Sequence, residues 1–194
     1  PATSVCCRRR PWQPASGRVF DSFEAYAEDY QQRHPEARGR VWVGLLFNRV
    51  TAQGGSAPVI QAVMSALEAR GFNVAPAFGF PSEIPAERYF LDRQGQSRVV
   101  AIAALALKQG NVPDKVIPVM KRLDVPIINA ITLYNQSRAE WEASPLGLSL
   151  AERSWQVSGA EFAGALAPTV IASKERREDK ETGLSYVTEE PIPE

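Results

Sequence analysis

A chain of 194 residues fits one folded domain, and 44% hydrophobic with 23% charged residues is ordinary for a globular protein. Lysine plus arginine and aspartate plus glutamate number 22 each, a balance that argues against a nucleic-acid or anionic-membrane partner. Cys6 and Cys7 are adjacent, which excludes a disulfide framework and lacks zinc-site spacing, and the only histidine is His34.

Residues 1–19 carry three prolines and little periodicity, which predicts an irregular arm, with Arg8, Arg9 and Arg10 as solvated charges. DSFEAYAEDYQQRH then predicts a short amphipathic helix, capped by Asp21 with Glu24 three residues on, with Phe23, Tyr26, Ala27 and Tyr30 on one face. His34 falls in a polar linker, where it reads as an exposed bystander. VWVGLLF (41–47) is an apolar run without alternation, the pattern of a strand covered on both faces. SAPVIQAVMSALEARG predicts a helix with Ser56 as N-cap, Pro58 in the first turn, Gly71 as the stop, and Val59, Ile60, Val63, Met64 and Leu67 as its buried stripe.

FNVAPAFGF (72–80) reads as the second strand, PSEIPAERYFLDRQGQSR as a polar stretch, and VVAIAALAL (99–107) as the third strand. Residues 113–123 predict a helix that Pro118 would kink, and VPIINAITL (125–133) a fourth strand. Ser137 with Glu140, and Ser149 with Glu152, both match the capping box. LAPTVIAS (166–173) reads as a fifth strand, KERREDKETG as a solvated turn, and LSYVT as a possible return antiparallel to the fifth. The alternation implies an α/β fold: a flavodoxin-like or Rossmann-like open parallel sheet of about five strands with helices on both faces. The expected organisation is an arm over 1–19, an α/β domain over 20–175, and a charged loop with a truncated extension over 176–194.

NRVTAQGGSAP joins the carboxyl end of the first strand to the first crossover helix, and ligands of open α/β sheets bind at that edge. N–H groups around Gly54, Gly55 and Ser56 could face an anion, helped by the helix dipole. No P-loop or GxGxxG fingerprint is present, so the glycines could equally serve the turn alone. Candidate ligand contacts are Asn48, Arg49, Thr51, Gln53, Gly54, Gly55 and Ser56, ringed by Lys108, Asn111, Tyr134 and Asn135 from later loops of the same edge. Lys108 also reads as a solvated charge, Asn111 as a helix cap and Tyr134 as a core ring with a wet hydroxyl. No carboxylate pair stands out for acid–base work, and Glu140 and Glu152 read as capping residues, so no catalytic or metal-binding residue is assigned.

A series of short motifs adds to this reading. Glu68-Ala69-Arg70-Gly71, Pro76-Ala77-Phe78, Leu123-Asp124-Val125-Pro126, Glu140-Trp141, Ser144-Pro145-Leu146-Gly147-Leu148, Gly159–Gly164 and Ala167-Pro168-Thr169-Val170 occur in order. The series, over roughly residues 20–190, resembles the N-terminal part of the large subunit of ATP-dependent tetrapyrrole chelatases, the CobN and magnesium-chelatase H-subunit family. The chain departs from the family pattern with Ala160 before Glu161, where the family has proline, with Ala163 in place of Asp, and with LALKQGNVP after the third strand. The resemblance implies a fragment of a longer subunit that binds the tetrapyrrole and a divalent metal, cobalt or magnesium, while AAA+ ATPase partners and accessory subunits hydrolyse ATP. It implies a binding or scaffold domain, with no cofactor of its own and with the catalytic residues elsewhere in the large chain. A cytoplasmic location is expected, and no apolar run is long enough to span a membrane. The alternative is a free-standing α/β module that takes a phosphorylated small ligand at Gly54–Ser56.

Overall fold

The structure, a computed structural model, describes residues 18–48, 56–105, 107 and 113–192. Six strands form one sheet: β1 (Trp42–Phe47), β2 (Asn73–Phe78), β3 (Ala101–Ala104), β4 (Ile127–Leu133), β5 (Leu166–Glu178) and β6 (Ser185–Pro191). Their order is β2-β1-β3-β4-β5-β6, all neighbours parallel except the antiparallel pair β5–β6. The first five follow the flavodoxin-like order, with its reversal point between β1 and β3. The sheet therefore has six strands rather than about five. The sixth is the antiparallel return, and β5 runs on to Glu178, so the first part of KERREDKETG is strand rather than loop.

The helices are α1 (Phe23–Arg33), α2 (Ala57–Ala69), α3 (Glu83–Phe90), α4 (Pro113–Leu123) and α5 (Arg138–Ala143). A last helical run follows as α6 (Leu150–Glu152), a π-helical turn (Arg153–Ser158) and α7 (Gly159–Phe162). Crossovers between parallel strands are right-handed, so the direction of travel across the sheet decides which face a helix covers. The step from β1 to β2 runs one way and places α2 on one face, against Leu45, Phe47, Val74 and Phe78. The steps from β2 through β3 and β4 to β5 run the other way. They place α3, α4 and α7 on the opposite face, around Leu46, Ala75, Ile102 and Ile127. Trp141, Leu148 and Val157 extend that layer over Ile131, Leu133 and Val170.

Local chemistry explains most boundaries. The N-cap of α1 is Ser22, whose Oγ accepts from the Ala25 amide at 3.1 Å; the expected Asp21 lies one residue outside. Tyr26 and Tyr30 are buried as the stripe predicts, and Tyr30 packs on His34, whose amide closes the helix on the Tyr30 carbonyl. Helix α2 begins at Ser56, but the buried Ser56 side chain makes no capping hydrogen bond; its carbonyl accepts from Val59 and Ile60 instead. Gly71 ends α2 at φ 87°, a conformation that costs glycine nothing.

The stretch after β2, expected to be polar loop, contains α3, which buries Ala86, Tyr89 and Phe90. In α4, Pro118 sits inside the helix on its exposed side, while Val116, Val119, Met120 and Leu123 face the core. Asp124 then stops the helix at φ 48°, a left-handed position that aspartate tolerates better than most residues.

Candidate functional site

The carboxyl ends of β1 to β5 open onto one edge of the sheet, and the described candidates Asn48, Ser56, Tyr134 and Asn135 lie along it. Arg49, Thr51, Gln53, Gly54, Gly55, Lys108 and Asn111 lie outside the described residues. Of the others, Asn48 follows β1, Ser56 opens α2, and Tyr134 and Asn135 follow β4. Asn48 Oδ1 is a buried acceptor without a partner, and so is Glu83 Oε2, at the first turn of α3 after β2. Two neighbouring strands thus end near acceptors that lack donors, each at a cost of about 1–3 kcal/mol.

Beyond β4 the edge is wired by side chains. Glu152 Oε1 accepts the Tyr134 amide at 2.5 Å and the Asn135 amide at 3.1 Å, and the carboxylate is fully buried. Its second oxygen accepts from Ser149 Oγ at 3.3 Å. Ser149 Oγ accepts from the Glu152 amide as a cap should, but the Ser149 amide donates to Gln136 Oε1 at 2.9 Å. Glu152 is therefore not the reciprocal half of a capping box; it fixes the loop that presents Tyr134 and Asn135. Glu140 does complete its box with Ser137, and the bonds from the Ser137 amide and hydroxyl hold its carboxyl below the usual carboxylate range.

The π-helical turn completes the arrangement. Gln156 donates to the Thr132 carbonyl at 2.7 Å, and its own carbonyl accepts from Asn129 Nδ2 at 2.8 Å, so the turn is clamped to β4 by buried polar bonds. Trp155 then lies 5.4 Å from the Tyr134 ring, centre to centre, and Lys174 Nζ of β5 stands 3.9 Å over that ring. Tyr134 is 37% exposed, and burial of the rest, with Glu189 nearby, pushes its phenol up to about 12. The result is a half-exposed aromatic pair with the Lys174 ammonium on one face of the Tyr134 ring and 4.0 Å from the Glu189 carboxylate. Glu83, Glu152, Trp155 and Lys174 were not singled out by sequence as ligand-edge residues. The Glu-x-x-Trp spacing of Glu152 and Trp155 was the available signal, but a π turn has no sequence mark. Among the described residues no group of three or more His, Cys, Asp or Glu side chains is placed to hold a metal ion.

The motifs that carry the resemblance hold the fold. Glu68 accepts from Tyr30 Oη at 2.9 Å and ties α2 to α1; Gly71 and Asp124 are left-handed stops; Gly147 turns at φ 67° and its carbonyl accepts from Gln136. An open α/β sheet whose parallel strands follow the flavodoxin-like order, with motifs placed at helix ends and strand cores, defines the class of domain. Residues 2–194 match the model of the CobN/Magnesium Chelatase family, and the chain belongs to that family.

Its relatives include magnesium-chelatase subunit ChlH, chloroplastic, of Oryza sativa, 29% identical over 187 residues, covering 89% of this chain and 14% of the relative. The magnesium-chelatase H subunit of Cereibacter sphaeroides is 32% identical over 145 residues, covering 71% of this chain and 12% of the relative. Among solved structures, the catalytic subunit of cobaltochelatase from Mycobacterium tuberculosis shares the fold at a TM-score of 0.59 and 22% identity, over 79% of this chain and 13% of that one. The chain thus spans about one seventh of the length of these relatives. Among the described residues no helix is long and apolar enough to cross a membrane.

Proposed function

We propose that this chain is a binding and scaffold domain of the large, tetrapyrrole-binding subunit of a cobalto- or magnesium-chelatase. In that setting AAA+ partner subunits in the cytoplasm hydrolyse ATP to drive insertion of the divalent metal. The observation that carries the reading is the family match over residues 2–194, together with relatives that are magnesium-chelatase H subunits. The half-exposed Tyr134–Trp155 pair supports a wall for the macrocycle, since aromatic side chains contact a planar ring system favourably, and Lys174 would exchange Glu189 for a macrocycle carboxylate. Asn48, Ser56 and Asn135 join the proposed contacts on the same edge, and Arg49, Thr51, Gln53, Gly54, Gly55 and Lys108, outside the described residues, are proposed with them.

Titration with a carboxylated porphyrin, followed by its Soret band and by tryptophan quenching, tests this. Saturable micromolar binding, weakened at least fivefold by Tyr134→Ala and by Arg49→Ala with Gln53→Ala, is expected. Binding by the long subunit but not by these 194 residues would leave the domain as scaffold, and binding by neither would overturn the reading. The second reading, a free-standing module for a phosphorylated ligand, draws on the strand order, whose reversal point lies between β1 and β3. Inorganic phosphate that competes with the porphyrin at equal occupancy would favour it.

A further inference from the structure

We propose that the sheet face bearing α2 receives an amphipathic helix from another part of the large subunit, seated in an apolar groove between α2 and the β5–β6 ribbon. The inference rests on the reading that the chain is part of a large chelatase subunit. The groove encloses ≈ 540 Å³ and is lined by Val63, Ala66 and Leu67 of α2, by Thr169 and Ile171 of β5, and by Ile192.

Its origin is topological. Every crossover after β2 travels the same way across the sheet, so α3, α4 and the helices from α5 onward lie on the opposite face, and α2 is the one described crossover helix on this face. A chain that left β5 through a further helix would cover the sheet beside α2. Here β5 turns back into the antiparallel β6, which packs against α2, and an apolar recess remains along the seam where helix and ribbon meet. Ala62 and Ala66 are short, so the wall formed by α2 is recessed and admits the ridge of a partner helix.

Three observations select the occupant. First, the domain covers 14% of the rice relative, so a subunit of that length holds many further segments to fill the groove. Second, Ile192 lines the groove with its amide donating to the Ile171 carbonyl at 2.8 Å, so the wall opposite α2 is apolar and held in place by the sheet. Third, Arg70 is the one charged residue among the lining, so the complementary segment carries an apolar stripe at i, i+3/4, i+7 and an acidic residue at the end near Arg70. A flat or charged partner surface would leave the recess unfilled.

The test is made in the long subunit, with Cys6 and Cys7 changed to serine. Ala66→Cys reports on the groove, and Ser65→Cys, on the exposed side of α2, is the internal reference. Maleimide labelling of Ala66→Cys at least tenfold slower than Ser65→Cys is expected, and a photo-crosslinker at position 66 should couple to an apolar-striped helix of the same polypeptide. Ala62→Cys replaces Ala66→Cys should the latter not fold. Equal labelling rates, or crosslinks to a second copy or to an ATPase subunit, would overturn the proposal. Porphyrin binding by the same preparation is scored separately: its loss with a shielded groove counts against the tetrapyrrole reading alone, and its presence with an open groove counts against the helix alone.

Discussion

Glu83 holds a carboxylate oxygen that is buried without a donor at the end of the sheet where ligands of this fold class bind. Its position in the first turn of α3 offsets part of the cost through the helix dipole, but a dry acceptor still forfeits the hydrogen bonds it makes in water. Such a residue is carried at the expense of stability. Glu83→Met should therefore raise the stability of the unliganded chain by about 1–2 kcal/mol, read as a higher urea midpoint at unchanged slope. A lower midpoint would show that the oxygen has a donor after all. Asn48, Tyr134 and Asn135 were legible as edge residues because each follows an apolar strand directly. Glu83 was not, because two prolines, Pro81 and Pro85, disguise the helix it begins.

Among the elements, the apolar runs gave away β1 to β4 because a strand covered on both faces has no alternation to break. β5 over 166–173 and the antiparallel return at LSYVT are legible too, but not their charged outer parts, where Lys174 faces Glu189 and Arg177 pairs with Glu190 across the ribbon. Strand pairing there is supported by cross-strand ion pairs rather than by burial, and local composition reads such a stretch as solvated loop. α3 escaped for a different reason. Its buried residues Ala86, Tyr89 and Phe90 have helical spacing, but the run is too short to stand out from its polar neighbours.

The packing of α3 on the sheet is nonetheless tight. Gly44 of β1 leaves no room for a methyl group, since an added Cβ would lie 2.8 Å from Phe90 Cζ. Gly44→Ala should cost about 1–3 kcal/mol by overpacking, and adding Phe90→Leu should return part of that loss in a double-mutant cycle. Additive losses would show that α3 does not need this close approach.

At the scale of the whole molecule, α1 closes the amino-terminal side of the domain through tyrosines. Tyr26, 1% exposed, donates to the Val74 carbonyl at 2.9 Å, and Tyr30 donates to Glu68. Burial raises both phenols well above the ordinary tyrosine range, and at Tyr30 the Glu68 carboxylate adds to it. The folded chain thus keeps these protons when the unfolded chain, with ordinary phenols near pH ~10, has lost them. A raised folded pKa contributes stability that is complete below the unfolded value and is lost as pH climbs through the folded one.

Each such phenol therefore removes about 1.4 kcal/mol per pH unit above pH ~10. Tyr134, more than a third exposed, contributes less because solvent screens it. Tyr26→Phe separates this effect from the titration of lysines, which both chains share. At neutral pH the variant should be about 1 kcal/mol less stable, since the Val74 carbonyl loses its donor. Near pH ~11 the two stabilities should cross, and above that the variant should be the more stable chain. Urea midpoints taken from pH 7 to 12 would show the crossing; parallel curves would mean that Tyr26 ionises as freely in the fold as in water, and that α1 does not seal this end of the core.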